Sequence, residues 1–367
     1  MSKNKNIVIC CDGTWNRFDR GAETNVSKLC YCLEHHHAQQ VVYYDPGVGT
    51  IASRSMRTRV GGVWSKLLGG AFGFGVRENI AQAYKFLMTH YQEGDRIFLF
   101  GFSRGAYSVR ALASVLKLFG LLERACDNLF PYIGEMILAR KGVMPDFALY
   151  DRFRGTFSRE VRVRFVGVWD TVSSVGWFTN PVMLPYTRKN DVVDAVRHAV
   201  AIDERRKNFR HNLFTAAPGQ DLKELWFVGS HGDVGGGYPE RESGLSKLAL
   251  EWMIDEAVGL SEPLLVNDER TRNLLGADPC HARPDPMATL HDSSGKAFWR
   301  ALQFIPRRSF RMEGDGIAGY WDWSPRRRPR ALPEDAVFHP SVRIRLEQDP
   351  VYQPPNLKVA SRSRMAP

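Results

Sequence analysis

Residues 96–106 read Arg96-Ile97-Phe98-Leu99-Phe100-Gly101-Phe102-Ser103-Arg104-Gly105-Ala106. The opening of this stretch follows the turn signal Glu93-Gly94-Asp95 and is a short, nearly continuous apolar run, as expected of a strand covered on both faces. From 106 to 119 the apolar residues keep helical spacing, and the run stops at Gly120. Between strand and helix lies the pattern Gly101-x-Ser103-x-Gly105. A strand entering a helix through that pentapeptide is the setting of a nucleophile elbow. Its glycines let backbone pack closely around a strained turn, and the turn lifts the serine hydroxyl clear of the sheet. The amino end of the helix also favours negative charge developing there. Ser103 is therefore the candidate nucleophile; the competing reading is an ordinary serine in a tight turn.

Working outward, strands and helices alternate. Residues 6–11 and 41–44 read as strands ahead of this stretch, with a helix over 76–91. Behind it come a helix near 125–140 and a strand over 161–169 that begins with strict alternation and ends fully apolar. A helix over 191–202, a strand over 224–228 and a helix over 245–257 follow. The series predicts an α/β fold of the α/β-hydrolase type: a mostly parallel sheet, helices on both faces, and irregular insertions. The pattern weakens beyond about residue 260. We expect residues 1–260 to form the catalytic core, 261–350 an extension packed on it, and 351–367 a disordered basic tail.

Composition sets bounds on the rest. At 367 residues and 44% apolar, the chain has ample material for one large core. It has no apolar run of about eighteen residues that would span a bilayer. The apolar run at 7–11 is too short for a signal-peptide core, so synthesis in the cytoplasm is expected, with delivery elsewhere left to a signal-independent route. The six cysteines lack C-x-x-C spacing and read as reduced thiols. A net charge of +10 favours anionic partners. The run Arg326-Arg327-Arg328-Pro329-Arg330 contributes to it and reads as a solvated basic loop rather than a dedicated patch. No helix-turn-helix, zinc or aromatic-stacking signature points to nucleic acid.

A nucleophilic serine needs a base, and the base needs an orienting carboxylate. In this fold they follow in the order Ser, Asp or Glu, then His, at the carboxyl ends of later strands. Asp170 follows the strand at 161–169, in Gly167-Val168-Trp169-Asp170-Thr171-Val172. His231 follows the strand at 224–228, in Gly229-Ser230-His231-Gly232-Asp233-Val234-Gly235-Gly236-Gly237-Tyr238. His35, His36 and His37 read as a solvated face, His198 and His211 as helical or post-helical residues, and His339 as a rival base. For the oxyanion, one donor is the N–H of Arg104; the second is sought at Gly13 or Thr14, after the first strand. Asp12 and Asp233 are read as loop supports. Two segments could form a membrane-touching entrance or fold onto the core: 57–75, with Trp64 and Leu67, and 177–185, with Trp177 and Phe178.

Taken together these stretches resemble a known family. The matching pieces are Cys11-Asp12-Gly13-Thr14-Trp15-Asn16, Tyr44-Asp45-Pro46-Gly47-Val48-Gly49-Thr50, Gly101 to Ala106, Val168 to Val172 and His231 to Tyr238. The family is the uncharacterised-domain group of α/β hydrolases that includes the first class of type VI secretion phospholipase effectors. The resemblance implies a triad at Ser103, Asp170 and His231 and cleavage of carboxylic esters, with phospholipid the substrate of its effector members. Such a serine hydrolase needs no metal or other cofactor, and a lipid substrate would bring peripheral membrane contact. Two further readings stand beside it. One is a metal-dependent phosphoesterase with Asp12, Asp233 and His231 as ligands for Mg²⁺ or Mn²⁺. The other is a non-catalytic protein that binds anionic surfaces.

Overall fold

The computed structural model describes residues 4–13, 21–36, 38–47, 71–138, 146–172, 176–177, 180–181, 184–206, 209–292, 307–313, 316–322 and 329–357. Residues 71–76, 137–138, 176–177, 180–181, 307–313 and 316–322 among them are described by backbone alone.

Seven parallel strands form one sheet: β1 Asn6–Cys11, β2 Gln40–Asp45, β3 Arg96–Phe102, β4 Val163–Trp169, β5 Val193–Ala201, β6 Asp221–Phe227 and β7 Val337–Phe338. Their order across the sheet is β7-β6-β5-β4-β3-β1-β2. The helices that place the site are α1 Asn25–Cys32, α2 Ala71–His90, α3 Arg104–Phe119, α4 Phe130–Leu138, α5 Phe147–Phe157, α6 His231–Gly235, α7 Gly244–Val258, α8 Asp268–Arg272 and α9 Pro340–Gln348. The strand alternation sorts side chains into two layers. Ile7, Ile9, Ile97, Leu99 and Val163 pack with Leu87 of α2 and Val109 of α3 on one face. Val8, Cys10, Phe98, Phe100 and Phe165 pack with Leu29 of α1 and Met253 of α7 on the other. Both faces are covered, which is why the strands are apolar along their length. Among the described residues no helix is long and apolar enough to cross a membrane.

Chain order fixes where a site forms. After β1 the chain moves outward to β2, then crosses back to place β3 on the other side of β1. The direction of winding reverses between β1 and β3, and in open sheets of this kind sites assemble at the carboxyl ends of the strands at such a reversal. Cys11 stands opposite Gly101 in the register. Asp12-Gly13 after β1, and Phe102 ending β3 with Ser103 after it, therefore lie side by side at that reversal.

Three expectations need correction. Residues 191–202 are not a helix: Val193–Ala201 is strand β5, seated between β4 and β6. Its Ala, Arg and His content suits a helix, but burial on both faces and pairing on both edges override that preference. Arg197 is buried yet held by Glu256 and Asp221, and His198 by Glu224. Second, the sheet is not complete by residue 260, because β7 pairs with β6 from far downstream. Third, residues 351–357 do not belong to a disordered tail. Tyr352 and Leu357 are buried against Val200, Trp226 and Phe338, and the Tyr352 hydroxyl donates to Asp203 at 2.8 Å.

Candidate active site

Ser103 closes β3 and precedes α3 with φ 58°, ψ −118°, a left-handed backbone that L residues rarely adopt. The flanking glycines make the turn possible. A Cβ at Gly101 would come within 2.6 Å of the Gly105 carbonyl oxygen, and one at Gly105 within 2.0 Å of the Cys11 carbonyl oxygen. The start of α3 thus lies directly against the end of β1. We expect Gly105→Ala to lose about 3 kcal/mol of stability in urea unfolding, since neither backbone can retreat without opening the sheet. A chain unfolding at the wild-type midpoint would mean this contact is looser than described.

Asp170 follows β4 and is also left-handed, at φ 42°. It is fully buried, its N–H donates to the Ala199 carbonyl at 2.7 Å, and its Oδ1 accepts the Ala201 N–H at 2.9 Å. The carboxyl end of β5, misread from sequence, thereby holds both ends of this residue. His231 opens α6, a five-residue helix capped by Ser230 and Asp233. Its Nε2 lies 2.8 Å from Ser103 Oγ and its Nδ1 2.5 Å from Asp170 Oδ2. The partners assign the tautomer: Nδ1–H donates to the carboxylate and Nε2 accepts from the serine hydroxyl. Phe102 and Phe209 flank the imidazole, with ring centroids 4.6 and 4.8 Å away. The three residues chosen from sequence are thus joined in one hydrogen-bonded chain across three strand ends.

Three residues that sequence reasoning missed surround this chain. Arg330 is buried and forms two ion-paired hydrogen bonds with Asp170, Nη1 to Oδ1 at 2.5 Å and Nη2 to Oδ2 at 2.9 Å. Arg330 therefore departs from the reading of the arginine run as a solvated loop; the rest of that run, Arg326, Arg327 and Arg328, lies outside the described residues. Glu204 accepts the His231 N–H at 3.2 Å and is itself gripped by Arg206. Burial alone would raise the Asp170 pKa, but the Arg330 guanidinium and the His231 contact hold it well below the carboxylate range. Burial lowers that of His231, with Asp170 opposing.

Asp12 Oδ2 accepts from Thr24 and Tyr44 hydroxyls at 2.6 and 2.8 Å. Gly47, at φ 81°, packs so closely that a Cβ would lie 2.2 Å from the Gly13 carbonyl oxygen, which explains the Tyr44-Asp45-Pro46-Gly47 stretch. Asp233 Oδ2 accepts from the Ser230 N–H at 2.9 Å, and Oδ1 contacts His291 Nδ1 at 2.6 Å. The Gly13 N–H, one of the candidate oxyanion donors, donates to Asp12 Oδ1 at 2.6 Å. Arg104 is the first residue of α3, so its N–H belongs to the helix's positive end. Thr14, Trp64, Leu67 and Phe178 lie outside the described residues, and Trp177 is described only as backbone in a two-residue strand.

Asp12, Asp233 and His231 are not brought together. Among the described residues no three His, Cys, Asp or Glu side chains are spaced to hold a metal, and both His231 nitrogens are already engaged. The rival His339 caps α9, where burial pushes its pKa down to about 4. A cavity of about 430 Å³ lined by Tyr91, Lys117, Gly120, Arg154 and Asp191 opens at the amino ends of the strands, away from Ser103.

A family model described as "T6SS, Phospholipase effector Tle1-like, catalytic domain" matches residues 5–256. An uncharacterised protein of Saccharomyces cerevisiae is 35% identical over 230 residues, 59% of this chain and 34% of that protein. An uncharacterised protein from Pseudomonas aeruginosa is similar at a TM-score of 0.43 and 20% identity, covering 73% of this chain and 47% of the other. The Tle1 effector bound to the VgrG spike of the type 6 secretion system is similar at a TM-score of 0.35 and 22% identity, over 66% of this chain and 52% of the effector. The chain thus spans about a third of the yeast protein and about half of each solved one.

Proposed function

The chain belongs to the family of Tle1-like type VI secretion phospholipase effector catalytic domains, and from that premise we propose that it is a serine hydrolase of carboxylic esters, with phospholipid as substrate. The observation that carries this reading is the hydrogen-bonded series Ser103 Oγ, His231 Nε2, His231 Nδ1, Asp170 Oδ2 at the carboxyl ends of the strands. In the proposed reaction, Ser103 Oγ attacks the acyl carbonyl carbon while its proton passes to His231 Nε2. Asp170 fixes the Nδ1–H tautomer and stabilises the imidazolium. The tetrahedral intermediate collapses, His231 protonates the leaving alcohol, and an acyl-enzyme remains. Water, deprotonated by the same imidazole, then releases the fatty acid. The Arg104 N–H, at the amino end of α3, is one donor to the oxyanion. The phospholipid assignment rests on the family's description, and the net charge of +10 suits anionic bilayers. Family kinship also favours delivery by a signal-independent secretion machine.

The test combines labelling with turnover. A fluorophosphonate should add its phosphonyl group once, with the label mapping to the peptide holding Ser103. The labelled protein should no longer release fatty acid from mixed phosphatidylglycerol–phosphatidylcholine vesicles, whereas a chelator should leave release unchanged. Labelling elsewhere, or release that survives labelling, would refute the assignment.

A further inference from the structure

The catalytic-domain match ends at residue 256, yet both carboxylate oxygens of Asp170 are held from residue 330. Arg330 reaches the site on a segment anchored independently. Asn356 Nδ2 donates to the Arg330 and Ile202 carbonyls, both at 3.0 Å, and Phe338, Val342 and Tyr352 are buried against Trp226 and Val228. The guanidinium fork faces both carboxylate oxygens of Asp170, while further N–H groups donate to the Ala201 carbonyl at 3.1 Å and the Phe209 carbonyl at 3.1 Å. Phe209 is also one of the rings beside His231. One side chain therefore ties together the carboxylate, the end of β5 and the wall of the imidazole site. Such a bidentate, buried guanidinium–carboxylate pair fixes orientation as well as charge.

We propose that Arg330 is a positioning residue of the hydrolase: it clamps Asp170 toward His231 and shares its negative charge, so that the segment 329–357 is part of the catalytic centre. The proposal rests on the triad reading. Its chemical consequence follows from charge balance. An aspartate alone beside His231 would hold an added proton strongly. An aspartate already paired with a cation holds it less, so the imidazole stays a neutral base to lower pH. The other groups facing this pair are Glu204 and Arg206, which pair with each other, and His211, which in turn faces the His198–Glu224 pair. On α6 itself Asp233 is engaged by His291. Burial and Arg330 together push His211 down to about 4, so it carries no charge near neutrality. The adjustable charge at Asp170 is therefore that of Arg330.

The experiment is the pH dependence of kcat/KM on a soluble p-nitrophenyl ester for the full chain, Arg330→Gln and Arg330→Lys, with folded fraction followed by thermal melting. The wild-type acid limb should lie below the ordinary histidine value of about 6.5. Arg330→Gln should move it upward by about one pH unit or more and lower kcat about a hundredfold with KM little changed. Arg330→Lys should keep the wild-type limb, because the charge remains, while losing about tenfold in kcat with the fork. A folded Arg330→Gln chain with an unmoved acid limb overturns the proposal. Should that variant fail to fold, a lysine variant with wild-type kcat overturns it equally. Histidine ¹³C NMR, with His231 assigned through His231→Asn, reads the same titration without turnover. If Ser103→Ala kept full activity the triad reading would fall, while the NMR shift between wild type and Arg330→Gln would still report whether Arg330 governs the Asp170–His231 pair. An unchanged shift overturns the clamp.

Discussion

Replacing Ser103 by alanine is expected to lower kcat for ester hydrolysis by about four to six orders of magnitude, with folding stability within about 0.5 kcal/mol of wild type. The loss in rate is that large because the hydroxyl is the attacking group, and among the described residues no other side chain hydrogen-bonds His231 Nε2. The remaining rate would come from the oxyanion donor and substrate binding, which the substitution leaves in place. Stability should hardly change, for a reason specific to this turn. The left-handed backbone at φ 58° costs alanine about what it costs serine, and the hydroxyl's one described side-chain partner is His231 Nε2. Ser103 and His231 keep 7% and 6% of their surface exposed, so water can take the hydroxyl's place at that nitrogen. Stopped-flow assays with an activated ester and urea titrations would measure both quantities on the same preparation. A variant keeping more than a tenth of the wild-type rate would remove Ser103 from the mechanism. A metal-dependent reading predicts that survival, together with inhibition by a chelator.

The elbow was legible in sequence because its constraints are local. A strand, two glycines and a helix within eleven residues leave few other geometries, and the close approaches at Gly101 and Gly105 show why glycine is required. Asp170 and His231 were legible because each follows an apolar strand, and strand ends are where such sheets assemble sites. Strand β5 was not, since its sequence Val-Asp-Ala-Val-Arg-His-Ala-Val-Ala lacks an alternating pattern once both faces are buried. Arg330 was hidden for a different reason. Nothing local separates it from the arginines at 326–328, and its role depends on a contact 160 residues distant in sequence. Gly13 illustrates a third case: a glycine after β1 suggests a donor for the oxyanion, while the contact of its N–H with the adjacent Asp12 carboxylate is set by local geometry that residue order does not carry. Patterns of residue type place elements, whereas the pairing of buried charges is decided by which elements the fold brings together.

That distinction makes Asp170→Asn the most informative single change after Ser103. Its effects should separate into chemistry and stability. The amide keeps the shape of the side chain, and its oxygen can still accept from the Ala201 N–H and from Arg330. Its NH₂ group then faces His231 Nδ1, which must become an acceptor. The imidazole proton moves to Nε2 and points at Ser103 Oγ, the wrong direction for a general base. We expect kcat to fall about ten-thousandfold. Independently, Arg330 loses its counterion while remaining buried among backbone carbonyls, and an uncompensated buried cation costs about 3–5 kcal/mol. The pH dependence of stability should change as well. Because the Asp170 pKa is depressed on folding, its contribution is complete above the unfolded value near 4 and is lost as pH falls below it. The asparagine variant should lack that acid-labile component. Adding Arg330→Met tests the division. A buried ion pair replaced by neutral side chains of similar volume is often close to neutral in stability, so the double variant should recover most of the lost stability. It should recover none of the ten-thousandfold loss in rate, because the tautomer stays wrong. If stability does not return in the double variant, the stranded cation was not what destabilised Asp170→Asn; if activity returns, Asp170 does not act through the tautomer of His231.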